Sequence, residues 1–145
     1  MKITSSISQS LAVFLLLVTL AASCKKDKEE VLIISPKAAN IEIGTANSKQ
    51  GIRGRDFHFN ADVIAADKIK TVEVKILPKV GQTYSSTWKF EIVWDQYFGA
   101  KNSNVHKHFT IPIDAPLGKY DFYFLVYDQN GTKLEIREDF TIVDH

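Results

Sequence analysis

Residues 118–128 read GKYDFYFLVYD, and this stretch decides the fold class. Its inward candidates recur at every second position, as Tyr120, Phe122, Phe124 and Val126. Side chains two apart share one face of a β-strand, so this period predicts a strand with one face in a core. The opposite parity carries Tyr123, Leu125 and Tyr127. Such an outward apolar stripe marks an interface or is covered by another segment, for which residues 38–43 are a candidate.

The two-residue period recurs along most of the chain. The other apolar alternations occupy residues 57–63, 72–76, 88–94, 105–113 and 134–142. Asn130-Gly131 follows residues 118–128 and is a strong hairpin signal. Residues 31–35 are a candidate first strand that ends at Pro36. About seven strands joined by short turns predict an all-β fold, an immunoglobulin-like antiparallel β-sandwich over residues 31–145.

The first thirty residues indicate where in the cell the protein is located. Residues 11–22 are an apolar run after Lys2, too short for a membrane helix but suited to the core of a signal peptide. Small residues then lead to Cys24, the only cysteine, in a pattern that resembles the bacterial lipoprotein box, although a leucine three positions before the cysteine is usual and Leu20 stands four before it. We therefore expect a signal peptide over residues 1–23 and lipidation of Cys24. The alternative is an ordinary secretory leader that leaves Cys24 as a free thiol.

Residues 24–30 are dense in Lys, Asp and Glu, which favours a solvated tether. Several acyl chains on Cys24 hold a protein durably at a membrane, so we expect a lipid-anchored protein of the outer membrane. The charged run also resembles the surface-export signal of Bacteroidetes lipoproteins, and the alternative is a plain spacer. Periplasmic and surface orientations both stay open.

The charge balance of the mature chain excludes two classes of partner. Without residues 1–23, 17 Lys and Arg face 17 Asp and Glu. This balance offers neither a basic surface for nucleic acid nor a polybasic patch for anionic lipid. With Cys24 lipidated, no cysteine is left for a disulfide, so packing alone must stabilise the domain.

Three stretches resemble one known family. They are Phe57-His58-Phe59, the run from Val105-His106-Lys107-His108 to Ile111-Pro112, and Gly118-Lys119-Tyr120. Together with the leader they are similar to Bacteroidetes lipoproteins that carry a single Ig-like domain of unknown function (domain of unknown function 4625). The resemblance spans residues 30–143. It implies a fold and a compartment, and no established activity.

Three of the four histidines fall on the polar parity of predicted strands. If His106 and His108 lie on a strand beside that of His58, the imidazoles can share a metal ion, with His58 or Asp62 as the third ligand. Neutral imidazole suits zinc, copper, iron or nickel, so a divalent metal ion is a candidate ligand, although the sequence implies no cofactor with certainty. The alternative is a solvated polar face without an ion.

Tyr97 and Phe98 lie beyond the alternation of residues 88–94 and beside Gly99. They are candidates for an exposed platform that binds a glycan or an envelope protein. The alternative is a role in the core.

Enzymatic motifs are missing from the sequence. It contains no Gly-x-Ser-x-Gly elbow, phosphate loop or His-Glu-x-x-His, so we expect no catalytic residues and no enzyme. Three functions remain: a cell-envelope lipoprotein that presents an Ig-like binding module, metal binding or delivery through the histidines, and a structural or adhesive domain.

Overall fold

The computed structural model describes residues 34–144, and these residues form two β-sheets. The strands are β1 (Lys37–Ile43), β2 (Gln50–Ile52), β3 (Asp56–Ile64), β4 (Ile69–Pro78), β5 (Phe90–Trp94), β6 (Asn102–Thr110), β7 (Gly118–Asp128) and β8 (Lys133–Val143). One sheet has the order β1-β3-β6 and the other β2-β8-β7-β4-β5. The predicted all-β sandwich is therefore confirmed. The expected signal peptide, Cys24 and the tether lie outside the described residues.

The core lies between the two sheets, where the predicted alternation places its apolar side chains. From β7, Tyr120, Phe122, Phe124 and Val126 are fully buried. Rings of the opposite sheet pack on them, for example Phe59 at 4.9 Å between ring centroids from Phe124. Burial of such aromatic surface is the main source of stability in a domain without disulfides.

The start of the sandwich differs from the sequence prediction. Residues 34–36 lie outside any strand, so the candidate first strand at residues 31–35 is wrong in its described part. The carbonyl of Ile34 accepts hydrogen bonds from Asn130 Nδ2 (3.0 Å) and Thr132 Oγ1 (3.2 Å). Because side chains satisfy this carbonyl, the strand ladder begins only after Pro36, at Lys37.

A short strand that the sequence did not reveal makes the sandwich partly parallel. β2 pairs with β8 in parallel, whereas every other strand pair is antiparallel among the described residues. Gly51 sits at its centre, and a Cβ there would lie 2.9 Å from both Ile111 Cγ1 and Phe140 Cζ. Three residues around a glycine carry too little alternation to be recognised as a strand.

The outward stripe of β7 is not covered by residues 38–43. These residues belong to β1, which pairs with β3 in the other sheet. Leu125 is nevertheless only 5% exposed, because it lies between Glu73 and Glu135 of the neighbouring strands. The stems of flanking charged side chains thus shield an apolar stripe without a covering segment.

Within residues 34–144, no helix is long and apolar enough to cross a lipid bilayer.

Candidate metal centre

The pairing of β3 with β6 assembles the candidate site. The strands run antiparallel for nine residue pairs, with His58 opposite His108 and Asn60 opposite His106. Phe57, Phe59 and the facing Val105 and Phe109 are buried in the core. The alternation of the strands therefore turns all three histidines to the outer face of the three-stranded sheet.

The three imidazoles converge on one point. His58 Nδ1 lies 3.4 Å from His108 Nε2, and His106 Nε2 lies 3.2 Å from the same His108 Nε2. One ring nitrogen from each residue lies within 4.8 Å of the other two. We call His58, His106 and His108 the three-histidine cluster. The sequence prediction that these side chains can meet is matched by their positions.

Two carboxylates face the far side of two of the rings. Asp56 Oδ2 lies 2.6 Å from His108 Nδ1, and Glu42 Oε2 lies 3.3 Å from His58 Nε2. An ionised carboxylate only accepts hydrogen bonds, so the ring nitrogen that faces it carries the proton. In a neutral imidazole the other nitrogen then holds a lone pair. In this tautomer His108 Nε2 and His58 Nδ1 are the ring nitrogens that could bind a metal ion.

Those two nitrogens are the ones that approach each other at 3.4 Å. With both protons on the carboxylate side, neither of these two nitrogens is a hydrogen-bond donor, although His106 Nε2 can donate to His108 Nε2 at 3.2 Å. A cation between the rings can accept the lone pairs of both nitrogens. The spacing also suits zinc, because ligands about 2.1 Å from a tetrahedral ion lie about 3.4 Å apart.

Asp62, the other expected ligand, is placed outside the cluster. Its carboxylate accepts hydrogen bonds from Asn40 Nδ2 at 2.7 Å and from Asn104 Nδ2 at 2.8 Å. These hydrogen bonds lower the pKa of Asp62, the one from Asn40 having the larger effect. Asp62 therefore belongs to a polar network farther along the same face.

Sequence reasoning missed both supporting carboxylates. Asp56 directly precedes the predicted strand and lies two residues before His58. The alternation of the strand could therefore have predicted that both side chains lie on the same face. Glu42 lies on β1, which the sequence did not predict as a strand. Only the pairing of Glu42 with Asn60 brings it beside His58.

A cleft of about 220 Å³ adjoins the cluster. Asp56 and His58 both line it, and Thr45, Ser48 and Gln50 add polar groups. The wall also includes Ile52 and Val143, from the parallel pair β2 and β8. The site is therefore accessible to small molecules from one side.

Tyr97 and Phe98 do not form a common platform. Phe98 is 67% exposed, whereas Tyr97 packs against the core and its burial raises the pKa of its hydroxyl. Lys107 Nζ lies over the Tyr97 ring, 5.4 Å from its centroid. The expected aromatic surface is thus reduced to one exposed ring.

Comparison with known proteins identifies the family of the chain. The model of the family described as Domain of unknown function (DUF4625) matches residues 22–143. No curated protein matches the sequence. Among solved structures, the chain is similar to Spo0M, a sporulation control protein of Bacillus subtilis, with 11% identity and a TM-score of 0.49. That match covers 78% of this chain and 51% of Spo0M, so this chain spans about half of that protein.

Proposed function

Because the chain belongs to DUF4625, a family of domains of unknown function, we propose its function from its own geometry: it binds a divalent transition-metal ion through the three-histidine cluster. The observation that carries the proposal is the convergence of His58 Nδ1 and His108 Nε2 at 3.4 Å, with a carboxylate on the far side of each ring. A solvated polar face does not by itself require three ring nitrogens within 4.8 Å of one another.

The donor set indicates which ions the site takes. All three donors are imidazoles, which suit zinc, copper, iron and nickel. Soft sulfur ligands favour Cu(I), and none joins the cluster among residues 34–144. Divalent copper and zinc are the strongest binders of such a set, with copper ahead in the usual order of affinities.

The leader suggests where this binding takes place. The apolar run at residues 11–22 and the small residues before Cys24 support a lipid-anchored protein of the outer membrane, in the periplasm or at the cell surface. In that setting the sandwich is an Ig-like binding module that follows a charged tether. Its binding site is the metal site, which it exposes to the surrounding solution. Its role is capture or delivery of the ion rather than catalysis.

Calorimetric titration of the purified protein with Zn²⁺ and Cu²⁺ tests the proposal. We expect one ion per chain, and a loss of affinity of at least about 100-fold in the triple variant His58→Ala/His106→Ala/His108→Ala. The matched control is Asp62→Asn, which removes a carboxylate from the same face of β3 outside the cluster and leaves affinity unchanged. Equal binding by wild type and the triple variant contradicts the proposal.

A further inference from the structure

We propose that the bound ion keeps its fourth coordination position open for an exchangeable neutral ligand from outside the domain, which is water in the isolated protein and an imidazole nitrogen when one is supplied. This inference rests on the proposed metal site and names the ligand that completes it. It begins from the count of donors. Within residues 34–144 the cluster contains three ligands and no fourth His, Cys or carboxylate joins it.

The exposure of the cluster leaves the fourth position accessible. The side chain of His108 is 52% exposed, and His106 is exposed too. All three rings rise from one face of the β3–β6 pair, so the strands lie on one side of the ion. In a tetrahedral arrangement the remaining vertex then points away from the sheet, as in sites that hold an exchangeable ligand.

The local charge favours a neutral donor over an anion. Three neutral imidazoles contribute no charge, and the carboxylates of Glu42 and Asp56 balance the two positive charges of the ion. An added anion makes the assembly net negative, whereas a neutral donor leaves it balanced. The cleft that shares Asp56 and His58 with the cluster gives such a donor a route to the ion.

Cobalt spectroscopy of the purified protein tests the inference. Co²⁺ stands in for zinc, and its visible spectrum reports its ligands. We expect a saturable spectral change when imidazole is added to the cobalt-loaded protein, at concentrations where azide, an anionic nitrogen donor, gives a smaller one. Gel filtration confirms that the cobalt stays bound.

A blocked peptide that contains one histidine distinguishes the two possible sources of the imidazole. A peptide affinity equal to that of imidazole indicates a protein side chain, and a peptide affinity at least tenfold weaker indicates a small molecule.

A charge variant supplies the matched comparison. In Asp56→Asn, compared with wild type at cobalt concentrations that saturate both proteins, one negative charge near the fourth ligand is lost, and we expect the affinity of azide relative to imidazole to rise about threefold at low salt. An unchanged ratio overturns the charge argument. Bound cobalt with no response to imidazole, cobalt stripped by imidazole, or tighter binding of azide than of imidazole overturns the inference and leaves the metal site standing. Absence of cobalt binding defeats the proposed function itself.

Discussion

At the scale of single residues, the pair of His108 and Asp56 shows how a carboxylate prepares an imidazole for a metal. The 2.6 Å contact fixes the proton on Nδ1 and leaves Nε2 as the donor atom. In His58 the two ring nitrogens have exchanged roles: Nε2 faces Glu42, and Nδ1 is the nitrogen available to a metal ion. Asp56 and Glu42 are therefore positioning residues, which act on the ion through the rings.

Asp56→Asn should weaken Zn²⁺ binding by about 10- to 100-fold, the usual effect of losing such a partner. The side chain of Asp56 is 65% exposed, so the free energy of unfolding should change little. Titration calorimetry measures the affinity. Nitrogen NMR of the imidazole rings reports the tautomer, which should shift away from the Nδ1-protonated form of His108 only in the variant. Unchanged affinity and an unchanged tautomer together would refute the positioning role.

At the scale of elements, turns and short strands hold the two sheets in place. Asp128, at the end of β7, is 1% exposed. Its Oδ2 accepts hydrogen bonds from the backbone N–H groups of Ala66 (2.8 Å) and Asp67 (3.0 Å), and its Oδ1 accepts one from Asn130 (3.0 Å). One carboxylate thus links the turn after β3 to the turn before β8. Burial raises the pKa of Asp128, but the backbone hydrogen bonds outweigh it and the net shift is downward.

Asp128→Asn should destabilise the protein by about 1–3 kcal/mol at pH 7, because an amide cannot accept hydrogen bonds at both ends. Since the pKa is lower in the folded state, the ionised carboxylate stabilises the fold above the unfolded value near 3.9, and this contribution is lost as the pH falls below it. The gap between wild type and variant should therefore narrow at pH 3. Urea unfolding at both pH values measures it. A gap that widens at low pH would contradict this account.

Gly51→Ala should also destabilise the protein, by about 1–3 kcal/mol. The new Cβ would meet buried Ile111 and Phe140 at 2.9 Å, and neither can move within a packed core. Thermal unfolding followed by circular dichroism measures the effect. Gly81→Ala is the control for adding a Cβ without a clash, because a Cβ there meets nothing within 4 Å. Its φ of +81° adds backbone strain of its own. A melting temperature of Gly51→Ala equal to that of wild type would show that β2 adapts.

At the scale of the whole molecule, the proposed anchor and the metal site divide the chain into two tasks. In the proposed function, the leader and Cys24 hold the protein at a membrane and the three-histidine cluster binds the ion. The cluster lies on an outer sheet face, so ion binding requires no opening of the core. The two tasks should therefore be separable by mutation.

Cys24→Ala should abolish incorporation of labelled palmitate and release the protein from the membrane fraction, because the acyl chains supply the membrane affinity. Metal affinity of the purified variant should equal that of wild type. Metabolic labelling and fractionation measure the first effect, and zinc titration measures the second. Palmitate incorporation that is unchanged in the variant would refute the anchor.

The sequence by itself determined the long alternating strands and their faces, but not β1 or β2. Alternation of apolar and polar residues is a local property of the sequence. It predicted the strand conformation, and which side chains are buried, for residues 57–63, 105–109 and 120–126. The outward direction of His58, His106 and His108 followed from the same alternation. The hydroxyl of Tyr120, which alternation alone places only in the core, donates a 2.8 Å hydrogen bond to the carbonyl of Pro116.

Only the tertiary structure decided which polar side chains meet. The register that sets His58 opposite His108 depends on hydrogen bonds between segments fifty residues apart, and a slip of one residue in β3 would turn His58 to the other face. Glu42 reaches His58 only because β1 pairs with β3. Asp56 reaches His108 only because β3 pairs with β6. Local alternation is written into neighbouring residues, whereas strand register is fixed by packing of the whole sandwich, and the metal site depends on both.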